Sequence, residues 1–117
     1  MLLDSTTQSL EILLAAAVAT TQLPVVVDFT DGATTFSPAV QHSQTNGITA
    51  VTILTAPAST NKREVTFMSV YNADTAPVII TIRLNDNSVM RIIRKIAMEI
   101  GDNLCYTKDE GFEVTDK

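Results

Sequence analysis

The chain has 117 residues, 45% of them hydrophobic and 18% charged, and a formal net charge of -5. Eight Lys and Arg against thirteen Asp and Glu argue against phosphate neutralisation, so neither nucleic acid nor an anionic membrane surface is an expected partner. One cysteine, Cys105, excludes an intrachain disulfide and fits synthesis in a reducing cytoplasm.

The length suits one domain, and 1–117 reads as a single β domain able to bury roughly 65% of its unfolded surface without metal or disulfides. The first residues lack the basic region of a secretory leader. The apolar stretch Leu10 to Ala19 is broken by Glu11 and is shorter than the ~20 residues a membrane helix needs.

In chain order, residues 1–20 form a candidate N-terminal arm or edge strand. Within it, the alanines and paired leucines of Ser9 to Ala19 favour a helix on propensity. Leu10, Ile12 and Leu14 also alternate, and the β character downstream favours a strand. Val25 to Phe29 and Ile48 to Leu54 read as strands, with Gln41 to Gly47 a polar loop between them and Thr55 to Asn61 a connector. Val65 to Tyr71 is rich in β-branched and aromatic residues. Asn72 to Pro77 is built of turn formers.

Val78, Ile80, Ile82 and Leu84 then alternate with Ile79, Thr81, Arg83 and Asn85, the period of a strand with one face on a core. Asn85-Asp86-Asn87 tolerates the backbone of a tight turn, so 78–96 reads as a β-hairpin. Ile96, Met98 and Ile100 alternate up to Gly101-Asp102. Leu104 and Tyr106 make a short strand, and Lys108 to Gly111 turns into Phe112-Glu113-Val114. About eight short strands predict an all-β fold: a single-domain antiparallel sandwich, jelly roll or small barrel. Such sheets need their edges covered, which oligomer formation or strand addition achieves.

Residues that could carry chemistry are sparse. His42 reads as a solvated loop histidine beside Ser43, without the orienting group a general base needs. Cys105 reads as a small strand residue. One Cys and one His cannot complete a zinc site. Asn85-Asp86-Asn87 lacks the glycine and distal glutamate of a calcium loop. Asp28, Asp31, Asp109, Glu110, Glu113 and Asp116 read as turn and surface acids, and the scattered glycines form no phosphate cradle. No catalytic, cofactor-binding or metal-binding residue is therefore assigned. Arg83, Arg91, Arg94 and Lys95 form the main basic cluster, a candidate docking patch for an acidic protein surface. Lys62-Arg63 is a smaller pair. Leu10, Ile12 and Leu14 are the candidate arm contacts; the equal alternative is that residues 9–19 are simply the first core strand.

The runs Ser69-Val70-Tyr71-Asn72-Ala73-Asp74-Thr75, Arg83-Leu84-Asn85-Asp86-Asn87, Gly101-Asp102-Asn103-Leu104 and Gly111-Phe112-Glu113-Val114, with the opening Met1 to Thr7 and Ser9-Leu10-Glu11, resemble small β-rich virion proteins of tailed bacteriophages. The resemblance covers the first dozen residues and roughly 65–115. It departs at Phe112, where a larger aromatic is expected, and at Cys105. It implies a non-enzymatic virion protein made in the bacterial host cytoplasm. The expected role is capsid decoration or cement, binding the major capsid protein as a homo-oligomer, with a trimer favoured. A tail-associated adaptor or fibre-attachment protein is the alternative. A carbohydrate-binding module ranks lower, because aromatic platforms are scarce.

Overall fold

The computed structural model describes residues 1–32 and 36–115. Among these the regular structure is all strand: β1 (Leu2–Leu3), β2 (Gln8–Leu14), β3 (Pro24–Gly32), β4 (Phe36–Gln44), β5 (Val51–Leu54), β6 (Lys62–Tyr71), β7 (Val78–Asp86), β8 (Val89–Met98), β9 (Asn103–Thr107) and β10 (Gly111–Thr115). They form two antiparallel sheets packed as a sandwich. Sheet A runs β10-β9-β6-β3-β4, with β1 also on β6, and sheet B runs β5-β2-β7-β8. The β3–β6 pairing lies nested inside the longer-range β2–β7 pairing.

One apolar cluster fills the space between the sheets. Sheet B supplies Leu10, Ile12 and Leu14 from β2, Ile53 and Leu54 from β5, and Ile80 and Ile82 from β7. Sheet A supplies Val25 and Val27 from β3, Val65, Met68 and Val70 from β6, and Leu104 from β9. Burying each such side chain stabilises the fold by roughly 1.5–3 kcal/mol. Leu10, Ile12 and Leu14 are 0%, 0% and 2% exposed, so the arm reading of these three is corrected. β2 sits between β5 and β7, and its apolar alternation serves the chain's own core. The residues before it are held too: Leu2 and Leu3 pair with Glu64 and Arg63 of β6, on the stretch of that edge that β9 leaves open.

Two other expectations change. Gln41 to Gln44 is not loop but the end of β4, which pairs along the whole of β3. It hides from periodicity because both of its faces are polar, with Gln41 and Ser43 turned inward and His42 outward. The segment Ile48 to Leu54 is strand only from Val51; before it the chain turns at Gly47, whose φ of 57° suits a residue without Cβ. The 78–96 hairpin is present, and its turn centres on Asn87 and Ser88, at φ 52° and 70°. This is the left-handed pair a two-residue hairpin demands. Asn85 Oδ1 accepts the Ser88 N–H at 2.9 Å.

Buried polar groups lock one end of the sandwich. The Asn72 amide donates to the carbonyls of Ala76, Met98 and Glu99 and accepts from the Asp74 N–H, joining the ends of β6 and β8. The Asp74 carboxylate accepts the N–H groups of Ala19, Thr20, Thr21 and Thr75 at 2.8–3.2 Å. Those bonds, led by the one from Ala19, overcome the opposing effect of burial and hold its pKa far below the usual carboxylate range. Asp102 Oδ2 accepts the Glu99 N–H at 2.9 Å.

Candidate subunit interface

The two long margins of the sandwich differ, and the difference defines the site. At one margin β4 and β5 meet. The Thr55 N–H donates to Gln41 Oε1 at 3.2 Å, and Arg63 donates to the Thr55 carbonyl and hydroxyl at 2.9 and 3.0 Å. The same guanidinium grips Asp31 with two bonds of 2.7 and 3.0 Å and stands 4.4 Å from the Phe29 ring centre. A two-pronged Arg–carboxylate pair over an aromatic face is among the stronger surface arrangements. β5 is four residues long and β4 carries Pro38, two devices that discourage further strand pairing.

At the other margin sheet B ends in β8 and sheet A in β10. β8 has ten residues, Val-Met-Arg-Ile-Ile-Arg-Lys-Ile-Ala-Met. It pairs with β7 on one side, and its other backbone edge is free of strand partners among the described residues. The register slips between Ile82 and Arg83, leaving Ile93 as a bulge. Directly paired residues in an antiparallel ladder share a face. Arg91 opposite Leu84 and Arg94 opposite Ile82 therefore lie on the side turned toward sheet A. Lys95 opposite Thr81 and Ile92 opposite Arg83 lie on the outer side.

The basic cluster is thus reshaped. Arg91, Arg94 and Lys95 are exposed and belong to none of the ion pairs among the described residues. They flank both faces of one free edge. Arg83 does not join them, because its Nε donates to Glu11 Oε1 at 2.9 Å. Glu11 is 9% exposed and also accepts from the Asn85 amide, so Arg83 closes a polar network inside sheet B. Lys62 is exposed at the far end of β6, while Arg63 belongs to the closed margin.

Apolar side chains accompany the charge. Val89, Met90 and Ile92 are 50%, 42% and 66% exposed. Ile93 and Ile96 of β8 and Phe112 and Val114 of β10 are half-buried at the rim of the core. Outside sheet B, a half-open apolar depression of about 370 Å³ is lined by Ala15–Ala17, Pro77, Ile79 and Ala97.

Across the margin β10 has the opposite charge. Asp109, Glu110 and Glu113 are exposed, whereas Lys108 is paired with Glu64 at 2.7 Å. That ammonium lowers the Glu64 pKa and is itself raised by the carboxylate. Phe112 packs on Tyr106 with ring centres 4.9 Å apart. Burial, with the Glu64 charge adding to it, pushes the Tyr106 phenol up.

The remaining chemical candidates stay apart. His42 is exposed on the outer face of β4, not in a loop. Cys105 is half-buried on β9 and accepts from the Asn103 amide at 3.3 Å. Asp31 belongs to Arg63, and Asp116 lies outside the described residues. No group of three or more His, Cys, Asp or Glu able to hold a metal occurs among the described residues. No protein-family model, curated protein or solved structure matches this chain.

Proposed function

We propose that this chain is a bacteriophage structural subunit that acts by binding other protein subunits, and that its task is capsid decoration across joints of the major capsid protein. The observation that carries the reading is the β8 edge: a ten-residue strand with a free backbone ladder, three uncommitted cations and exposed aliphatic side chains. The bulge at Ile93 and the cations on this edge discourage indiscriminate strand pairing. The edge therefore suits a partner of complementary negative charge, and exposed apolar surface rimmed by charge is typical of a docking face. Strand addition supplies main-chain hydrogen bonds, and the alternate side chains select the partner. The sequence resemblance to small virion proteins supplies the setting.

Densitometry of purified virions against the major capsid protein tests the proposal. Decoration predicts a fixed ratio of one chain per few capsid subunits. A dozen or fewer copies per particle would assign the chain to the tail as an adaptor, and absence from the virion would remove the reading altogether.

A further inference from the structure

We propose that β8 of one copy of this chain pairs with β10 of a second copy, joining sheet B of the first to sheet A of the next. This deepens the subunit-binding reading above by naming a second copy of this chain as the subunit that takes the β8 edge. It rests on that reading, and the closed assembly, not a free β8, is then what meets the capsid. Three observations carry it.

The first is charge. Residues 78–98 hold four cations and one anion, whereas the other 96 residues hold four cations and twelve anions, so +3 faces -8 within the total of -5. On the other free strand edge at this margin the exposed acids are Glu113 in β10 and Asp109 and Glu110 just before it. Opposite charges across a strand pair stabilise it and like charges oppose it.

The second is direction. β8 ends at Met98, whose carbonyl accepts from Asn72. β10 ends at Thr115, opposite Asn103, which pairs in turn with Tyr71. Both strands therefore run toward the Asn72 end. Rotation about an axis along the strands brings β8 of one copy beside β10 of the other, in parallel. Rotation about an axis perpendicular to the sheets would instead pair β8 with β8, aligning six cations, and β10 with β10. A parallel ladder is only slightly weaker per residue than an antiparallel one, so charge decides between the two.

The third is the rim of the core. Ile93, Ile96, Phe112 and Val114, half-buried in one copy, are covered when the two margins meet. Because both edges are used, the assembly closes and leaves no free β8 to extend it.

Light scattering after gel filtration of the full chain tests the proposal. We expect a closed oligomer, a small multiple of 12.6 kDa, whose dissociation constant rises about tenfold or more between low salt and 1 M salt. Arg91→Glu/Arg94→Glu/Lys95→Glu and Asp109→Lys/Glu110→Lys/Glu113→Lys should each be monomeric alone and reassociate when mixed. Hydrogen exchange on the unmodified chain provides a readout independent of these variants: β8 and β10 amides should gain protection together as concentration rises. A monomer at about 100 μM, or protection of β8 without β10, would overturn the pairing. If that monomer still bound purified capsids, β8 would instead take an acidic strand from another protein, and the decoration reading would survive. An oligomer with no place in the virion would do the reverse.

Discussion

The β4–β5 margin and the β8–β10 margin are made from the same materials and end in opposite states. At the first, the cation Arg63 is held by Asp31, Thr55 and Phe29, all within the chain. At the second, Arg91, Arg94 and Lys95 have no ion-pair partner among the described residues, and the complementary acids lie on a different strand. The lesson is that charge count alone does not mark an interface. What marks it is charge that the fold has left uncommitted, next to a backbone edge and apolar surface that are also left open.

The two margins can be set apart experimentally, and the internal reference is the core that both enclose. Leu10→Ala should have the largest effect, lowering unfolding free energy by about 3 kcal/mol in denaturant titration. A loss below about 0.5 kcal/mol would return Leu10 to the role of an arm contact and blur the contrast between interior and edge.

Asp74→Asn comes next, with a melting temperature lowered by roughly 8 °C at neutral pH as buried N–H groups lose an anionic acceptor. The native carboxyl binds its proton far less readily than the unfolded chain does. Its stabilisation is therefore complete above the ordinary carboxylate pKa of about 3.9 and is lost as pH falls from there toward the lower native value. The gap between Asp74→Asn and the unmodified chain should narrow steadily below about pH 4. A gap independent of pH would mean that the carboxylate charge is not what locks this end.

Arg63→Ala, at the closed margin, should cost about 1–2 kcal/mol through loss of the two-pronged pair and the ring contact. Arg91→Ala, at the open margin, should stay within about 0.5 kcal/mol in dilute solution, where each chain is alone. Equal losses at the two sites would break the comparison outright.

Much of this architecture is legible in the sequence. β6, β7, β9 and β10 follow from alternation and turn chemistry, whereas β8 follows from the Asn85-Asp86-Asn87 turn and its pairing with β7, since its bulge at Ile93 puts cations on the inner face and Ile92 on the outer one. β4 is not legible, since a strand with Gln41 and Ser43 inside and His42 outside carries no hydrophobic period. β1 is too short to have a pattern, and it owes its form to the part of β6 that β9 leaves unpaired. Of the four residues in the expected docking patch, Arg91, Arg94 and Lys95 share the β8 edge and Arg83 does not. Arg83 looked equivalent to its neighbours because Glu11, which holds it, lies 72 residues away. Nothing local marks such a pairing, and only the β2–β7 register reveals it. For the arm the reverse applies: the alternation of Leu10, Ile12 and Leu14 was plain, but alternation alone does not say which chain's core it enters.

The nested ladders also set an order of events during synthesis. Gln8 lies opposite Asp86, so β2 leaves the ribosome long before its central partner exists, and no hairpin can shelter it meanwhile. Loop closure over such a span precedes any reward in contacts, which places refolding in the millisecond-to-second range. During that wait, β2 can pair only with β5, through Leu10 to Ile12, and the aliphatic side chains of Leu10, Ile12 and Leu14 have a single neighbouring strand. Until β7 emerges, the segment around Leu10 to Leu14 is a stretch of the nascent chain that a holding chaperone could shelter.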